Sequence, residues 1–231
     1  MKMGIILPSC IYNLGRAHNA KLAFEALIRT QTGLWLPKPR LHLLLKMGVD
    51  FYYPLAALQD VFDLTLEGDP AGVTGVEQTL AYGTTKLFNE GMDYVSWIQD
   101  DTLVHPRWLL QLEGLIQRHP QAKAWSVYRS ANEATHKVLK IEENGDVLVS
   151  SIGHAMTIAR QEWIDWGVPW QDVNDTGGYA GITMDLVHPQ TRPGERWVTG
   201  VSYADHIGKI GVHCQPHIPE HAVLFQGRQN D

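Results

Sequence analysis

The stretch Met92–Leu110, MDYVSWIQDDTLVHPRWLL, decides how the chain is read. Tyr94-Val95-Ser96-Trp97-Ile98 is a short run rich in β-branched and aromatic residues, and it predicts a buried strand. The run ends in Gln99-Asp100-Asp101-Thr102. Pro106 then opens a segment with Trp108, Leu112 and Leu115 on one face, which predicts a helix. Two adjacent carboxylates therefore stand at the carboxyl end of a hydrophobic strand, where α/β sheets place ligands. Like charges side by side are tolerated best beside a cation, and Mg²⁺-type ions share one or two carboxylates with a substrate's phosphates. A plain strand-to-helix turn, with Asp101 or Thr102 capping the helix, accounts for the same residues without a ligand.

Upstream of this stretch the pattern is strand, helix, strand. Gly4 to Leu7 is apolar and ends at Pro8-Ser9-Cys10-Ile11-Tyr12. Asn13 is a good N-cap, and Ala20, Ala23, Phe24 and Leu27 form a helical stripe behind it. Leu41 to Leu45 is the next strand, and VFDLTL within Asp60 to Leu66 is a third apolar run. Gly68-Asp69-Pro70-Ala71-Gly72 is turn chemistry. The helix after it shows Val76, Leu80 and Leu87, with Gly83 on the same side, and stops near Gly91. Strands alternating with helices imply a mainly parallel sheet with right-handed crossovers. The first half contains no Gly-x-Gly-x-x-Gly fingerprint, Walker motif or internal repeat, so phosphate binding there would rest on a metal ion.

Downstream the texture changes. Ala124 to Tyr128 predicts a strand. Val138 to Ile141 and Val147 to Ile152 flank Glu143-Asn144-Gly145-Asp146, and Asn-Gly between two β runs predicts a hairpin, because both residues tolerate positive φ. Residues 153 to 158 continue in extended style, and 159 to 163 predict a helical turn. Trp166 to Arg196 is long, irregular and rich in Gly, Pro, Asp and Trp, as functional loops are. It carries Trp170, Asp172, Asp175 and Tyr179, types that hold sugars by stacking and hydrogen bonding. His206, His213, His217 and His221 fall close together around Cys214. The last three have the i, i+4 spacing of a helical zinc site, but Pro216 and Pro219 interrupt any helix there.

The 231 residues suit a single α/β domain, and 44% hydrophobic content is that of a globular chain. No segment approaches the roughly 20 apolar residues of a membrane span. Nineteen basic against 25 acidic residues give a net charge of −6, which argues against a broad nucleic-acid surface. Two cysteines are too few for a disulfide framework, so a reduced, cytoplasmic protein is expected.

Taken in order, these motifs resemble GT-A fold glycosyltransferases, the family 2-like group in particular. In that group a strand ends in a three-residue acidic motif followed by Thr or Ser and a Pro-containing helix start. Here Gln99 takes the first acidic position while Asp100 and Asp101 are present. The resemblance implies an α/β, GT-A (Rossmann-like) sheet, mixed but mainly parallel, with flanking helices and a small hairpin and acceptor subregion. It implies one domain over residues 1–231, with 1–120 holding the nucleotide-sugar and 121–231 the acceptor. It implies a metal-dependent transfer of sugar from a nucleotide-diphosphate donor, a UDP-sugar, to an acceptor hydroxyl.

Carried onto this sequence, the family pattern puts Pro8, Ser9, Tyr12, Asn13, Gln99 and Asp100 at the donor, with Asp50 a looser candidate. Asp101 and His221 would hold Mn²⁺ or Mg²⁺, with His217 and His213 as alternatives to His221. Trp170 and Tyr179 would face the acceptor. An acidic residue that begins a late helix is generally the catalytic base in inverting members; Asp205 fits, with Asp172 and Asp175 as alternatives. The acceptor stays open between carbohydrate, protein and modified nucleic acid. Three other readings compete. A nucleotidyltransferase on a related sheet would need a Gly-rich, basic loop after the first strand, of which Asn13-Leu14-Gly15-Arg16 is a poor version. A non-catalytic sugar-binding module would rest on the Trp-rich loop, and a zinc hydrolase on the histidine cluster.

Overall fold

The computed structural model describes residues 1–11, 13–32, 37–45, 51–73, 75–130, 137–152, 154–173, 194–207 and 225. Strand β1 (Met3–Ser9) runs through the middle of the core, with Ile5, Ile6 and Leu7 all fully buried. Neighbouring strand residues leave opposite faces of a sheet. Ile5 and Leu7 accordingly join one apolar cluster and Ile6 the other. Burial on both faces is what a parallel sheet covered by helices demands.

Helix α1 (Leu14–Leu27) covers the first face. Asn13 caps it, its Oδ1 accepting from the Arg16 N–H at 2.9 Å, and Ala20, Ala23, Phe24 and Leu27 are buried as the stripe predicts. Strand β2 (Arg40–Leu45) pairs parallel with β1. The third apolar run divides differently from the sequence expectation. Helix α2 (Leu55–Val61) takes its first residues, and strand β3 (Asp63–Gly68) the rest, parallel to β2.

Helix α3 (Gly75–Asn89) covers the second face through Leu80 and Leu87, whereas Val76 is exposed and not part of the stripe. Gly83 faces the sheet so closely that a β-carbon there would lie 3.0 Å from Leu44 Cδ1 and 3.1 Å from Ile6 Cδ1. The helix stops before Gly91, which has φ +93°. Strand β4 (Tyr94–Trp97) then pairs parallel with β1 on the side away from β2.

A strand that the sequence did not announce follows the acidic pair. Strand β5 (Thr102–Val104) precedes α4 (Trp108–Arg118), so the helix begins two residues after Pro106. Its N-cap is Arg107 with no side-chain bond, and neither Asp101 nor Thr102 caps it. Trp108, Leu112 and Leu115 are fully buried on its inner face. The Trp108 indole N–H reaches Thr30 Oγ1 at 3.0 Å, the polar partner a buried Trp needs.

The second half continues the same sheet. Its strands are β6 (Ala124–Ser126), β7 (Val138–Ile141), β8 (Val147–Val149), β9 (Met156–Ala159) and β10 (Arg196–Val198). Among the described residues the order across the sheet is β3-β2-β1-β4-β9-β6-β10-β8-β7, with β4 and β9 antiparallel.

The β7–β8 hairpin forms where Asn144-Gly145 predicts it. Gly145 has φ +88° while Asn144 does not take positive φ, and the Glu142 N–H donates to Asp146 O at 2.8 Å across the three residues between them. Of the segment expected to be extended, residues 154 to 158 are not uniformly so: Ala155 sits at φ +48°, and β9 begins only at Met156. Helix α5 (Arg160–Trp166) ends at Gly167 with φ +67°, as its sequence suggests. A separate ribbon pairs β5 with β11 (Ala204–His206), antiparallel. No helix among the described residues is long and apolar enough to cross a membrane.

Candidate active site

The chain leaves β1 to form β2 and β3 on one side, then returns through α3 to form β4 on the other. The strand order therefore reverses between β1 and β4, and the crevice outside their carboxyl ends is where such sheets bind ligands. The ends of those two strands are Ser9-Cys10 and Gln99-Asp100-Asp101.

Asp100 is fixed from several sides. Its Oδ2 accepts from Ser9 Oγ at 3.1 Å and from the Cys10 N–H at 2.9 Å, and its Oδ1 accepts from Arg16 Nη2 in the first turn of α1. Ser9 Oγ also meets the Tyr53 hydroxyl at 3.2 Å. Burial raises the Asp100 carboxyl above the usual range; Arg16 and the two β1 donors pull against it, and the Asp101 charge adds to it.

Asp101 is equally buried but differently served. Its Oδ1 makes no well-aligned hydrogen bond, although His206 Nε2 lies 3.2 Å away. Its Oδ2 stands 3.8 Å from Arg16 Nη1. Burial works to raise its pKa, but the His206 contact, Arg16 and His154 outweigh it and hold the group below its ordinary value.

The ribbon explains why His206 is there. The Ile207 N–H donates to the Asp101 carbonyl at 2.9 Å, and His206 pairs with Thr102 in register. The His206 ring stacks on His154 with centroids 4.3 Å apart and planes 12° from parallel. His154 precedes Ala155, whose left-handed backbone costs on the order of 1 kcal/mol and persists only where its surroundings impose it.

The sequence candidates separate into three groups. Ser9, Asp100 and Asp101 converge at the switch point, with Pro8 in β1 and Gln99 beside them. Asn13 acts through α1, as the cap that sets the turn carrying Arg16. Asp205 does not begin a helix. It is buried in the middle of β11 opposite Leu103, and strand alternation sends its side chain away from the face that carries His206. Trp170 and Asp172 lie on a 3-10 turn against α3, where the Trp170 ring meets Tyr82 edge-on at 5.1 Å and Asp172 is exposed. Tyr12, Asp50, Asp175, Tyr179, His213, His217 and His221 lie outside the described residues.

Three site residues were given no role at the site from sequence. Arg16 stood in a weak loop motif, yet it lies in α1 rather than in a phosphate-binding loop. A signal was present: a cation in a helix's first turn opposes the helix dipole and calls for a nearby anion. His206 was one histidine of a cluster, and His154 carried no sequence signal.

The donor set fits a hard divalent cation in part. Asp101 offers a buried carboxylate oxygen without an aligned donor, the group that metals of this kind share with substrate phosphates. Among the described residues no three His, Cys, Asp or Glu side chains converge as a complete metal cage.

No protein-family model and no curated protein matches the chain. Solved structures do. The crystal structure of S. aureus TarS 1–349 matches with a TM-score of 0.58 at 10% identity, covering 88% of this chain. The complex of the same protein with UDP-GlcNAc matches with a TM-score of 0.60 at 10% identity over 93% of this chain, and the complex with UDP with 0.59 at 9% over 88%. The chain spans 60% of the length of each of these structures. TarS is a GT-A family glycosyltransferase, and this chain has the GT-A glycosyltransferase fold.

Proposed function

We propose that the protein is a glycosyltransferase that moves a sugar from a uridine-diphosphate donor to an acceptor hydroxyl. One observation carries the reading: a buried pair of carboxylates closes the switch-point crevice of a fold whose S. aureus example is seen with UDP and UDP-GlcNAc. In this reading the crevice between β1 and β4 takes the nucleotide, beside Ser9, Tyr53 and Asp100. Tyr12 and Gln99 belong to the same donor set.

Asp101 would hold Mn²⁺ or Mg²⁺, with His206 next to it and His221 as the further ligand. When bound there, the cation offsets the negative charge that grows on the leaving diphosphate. Asp100 orients the end of β1 and, through Arg16, the start of α1, so the donor meets a preformed wall. If transfer inverts the sugar, Asp172 and Asp175 are the proposed candidates for the base that takes the acceptor hydroxyl's proton, because Asp205 is buried in β11 and turned away from the face that carries His206. Trp170 and Tyr179 are the proposed acceptor contacts, and the acceptor is a carbohydrate, a protein or a modified nucleic acid.

The test is release of UDP from UDP-sugars by the purified chain with Mn²⁺, compared with Asp101→Ala. Turnover that needs the divalent ion and falls at least about a hundredfold in the variant supports the reading. Equal turnover in a folded Asp101→Ala protein sinks the role assigned to Asp101.

A further inference from the structure

The reading above uses Arg16 only as a brace, and its surroundings ask for more. Arg16 stands in the first turn of α1, which contains no acidic residue. A cation there works against the helix dipole. Its compensation comes from across the switch point, where Nη2 meets Asp100 Oδ1 and Nη1 stands 3.8 Å from Asp101 Oδ2. The Arg16 side chain is 16% exposed and the two carboxylates 3% and 8%, so water screens this triad weakly. One positive charge thus faces two negative ones.

The two carboxylates are not held alike. Asp100 is occupied by Ser9, Cys10 and Arg16, whereas Asp101 Oδ1 is buried without an aligned hydrogen bond. The guanidinium therefore grips one acid and merely adjoins the other. Its planar fork matches phosphate oxygens, which an ammonium does less well.

We propose that Arg16 is the resident counter-ion of the acidic pair: it keeps the affinity of Asp101 for a free divalent cation low, and it donates to the diphosphate when the donor binds, so that cation and nucleoside diphosphate enter together. The proposal rests on the donor reading given above. Removing the charge of Arg16 should then move two affinities in opposite directions, an outcome that a purely structural brace does not produce. Loss of the cation leaves the acidic pair more negative, which favours Mn²⁺. Loss of the fork removes a phosphate donor, which disfavours the nucleotide.

The experiment is isothermal titration of the full chain with Mn²⁺ alone, with UDP alone in chelator, and with Mn²⁺ in saturating UDP. It compares wild type, Arg16→Gln and Arg16→Lys. In the wild type UDP should tighten Mn²⁺ binding by about tenfold or more. Arg16→Gln should bind Mn²⁺ alone about tenfold tighter and UDP alone about tenfold weaker, a difference of one decade in each constant. Arg16→Lys should keep the wild-type Mn²⁺ affinity and lose part of the UDP affinity. If Arg16→Gln does not fold, Arg16→Lys decides: unchanged UDP binding overturns the proposal. If wild type binds Mn²⁺ and UDP but neither variant shifts either affinity, the counter-ion role fails and the donor reading stands. If wild type binds neither ligand, alone or together, both fail.

Discussion

Asp100 and Asp101 are neighbours in the chain and opposites in role. Asp100 accepts from a hydroxyl, a backbone N–H and a guanidinium, all at the crevice wall. Asp100→Ala would strand a largely buried cation and two donors, and breaking such a pair costs about 3 kcal/mol or more. Urea unfolding should show that loss. Asp101→Ala removes a like charge together with longer contacts to His206 and Arg16, so it should lower the unfolding free energy by clearly less than Asp100→Ala does. Equal destabilisation by the two variants would contradict the division of labour.

A second residue-scale prediction concerns Tyr82, whose hydroxyl donates to Glu67 at 2.6 Å. That bond to a carboxylate pushes the Tyr82 pKa from 10.0 up to about 12. Below pH 10 the phenol is protonated in both folded and unfolded chains, and the bond contributes fully. Between the ordinary value and the raised one only the unfolded chain ionises, so stability falls as pH rises through that window. Tyr82→Phe should remove this part of the alkaline loss. Superimposable stability curves for variant and wild type from pH 9 to 12 would refute the assignment.

At the scale of elements, legibility followed periodicity. The stripe of α1 and the inner face of α4 were readable because Ala20, Phe24, Leu27, Trp108, Leu112 and Leu115 repeat at helical spacing and are buried together. The β5–β11 ribbon was not readable. Its strands are three residues each, too short for an alternation to register, and their pairing joins segments about a hundred positions apart. That pairing brings His206 to Asp101, so the same long-range contact hid part of the site. Asp205 was read as a helix start for the same reason. The β7–β8 hairpin was legible through Asn144-Gly145, and Gly145 takes the positive φ that its turn needs.

The hairpin supplies a test of its own. A β-carbon on Gly200 would lie 2.1 Å from the Gly145 carbonyl oxygen, a backbone atom that cannot rotate away. Gly200→Ala must push the turn from the end of β10 and should cost about 1–3 kcal/mol, as overpacking does. Thermal unfolding of the variant measures it, and an unchanged midpoint would mean that the turn is not held against Gly200.

At the scale of the whole molecule, the alternation of strands and helices predicted a mainly parallel α/β sheet, and the resemblance of the ordered motifs to family 2-like glycosyltransferases implied the GT-A fold, which the structure shows. The reversal of strand order between β1 and β4 then explains why the acids belong to that crevice. The second half resisted because its strands are short and the sequence between them lacks periodicity. If the proposed function holds, this crevice binds a nucleoside diphosphate through the acidic pair. Thermal unfolding with a panel of nucleoside diphosphates, with and without Mn²⁺, tests it most directly. A ligand that binds only the folded chain stabilises it by about 2.7 kcal/mol at a hundredfold excess over its dissociation constant. The account predicts stabilisation by UDP that depends on Mn²⁺ and disappears in Asp101→Ala. No shift with any nucleotide, or an equal shift in the variant, would contradict it.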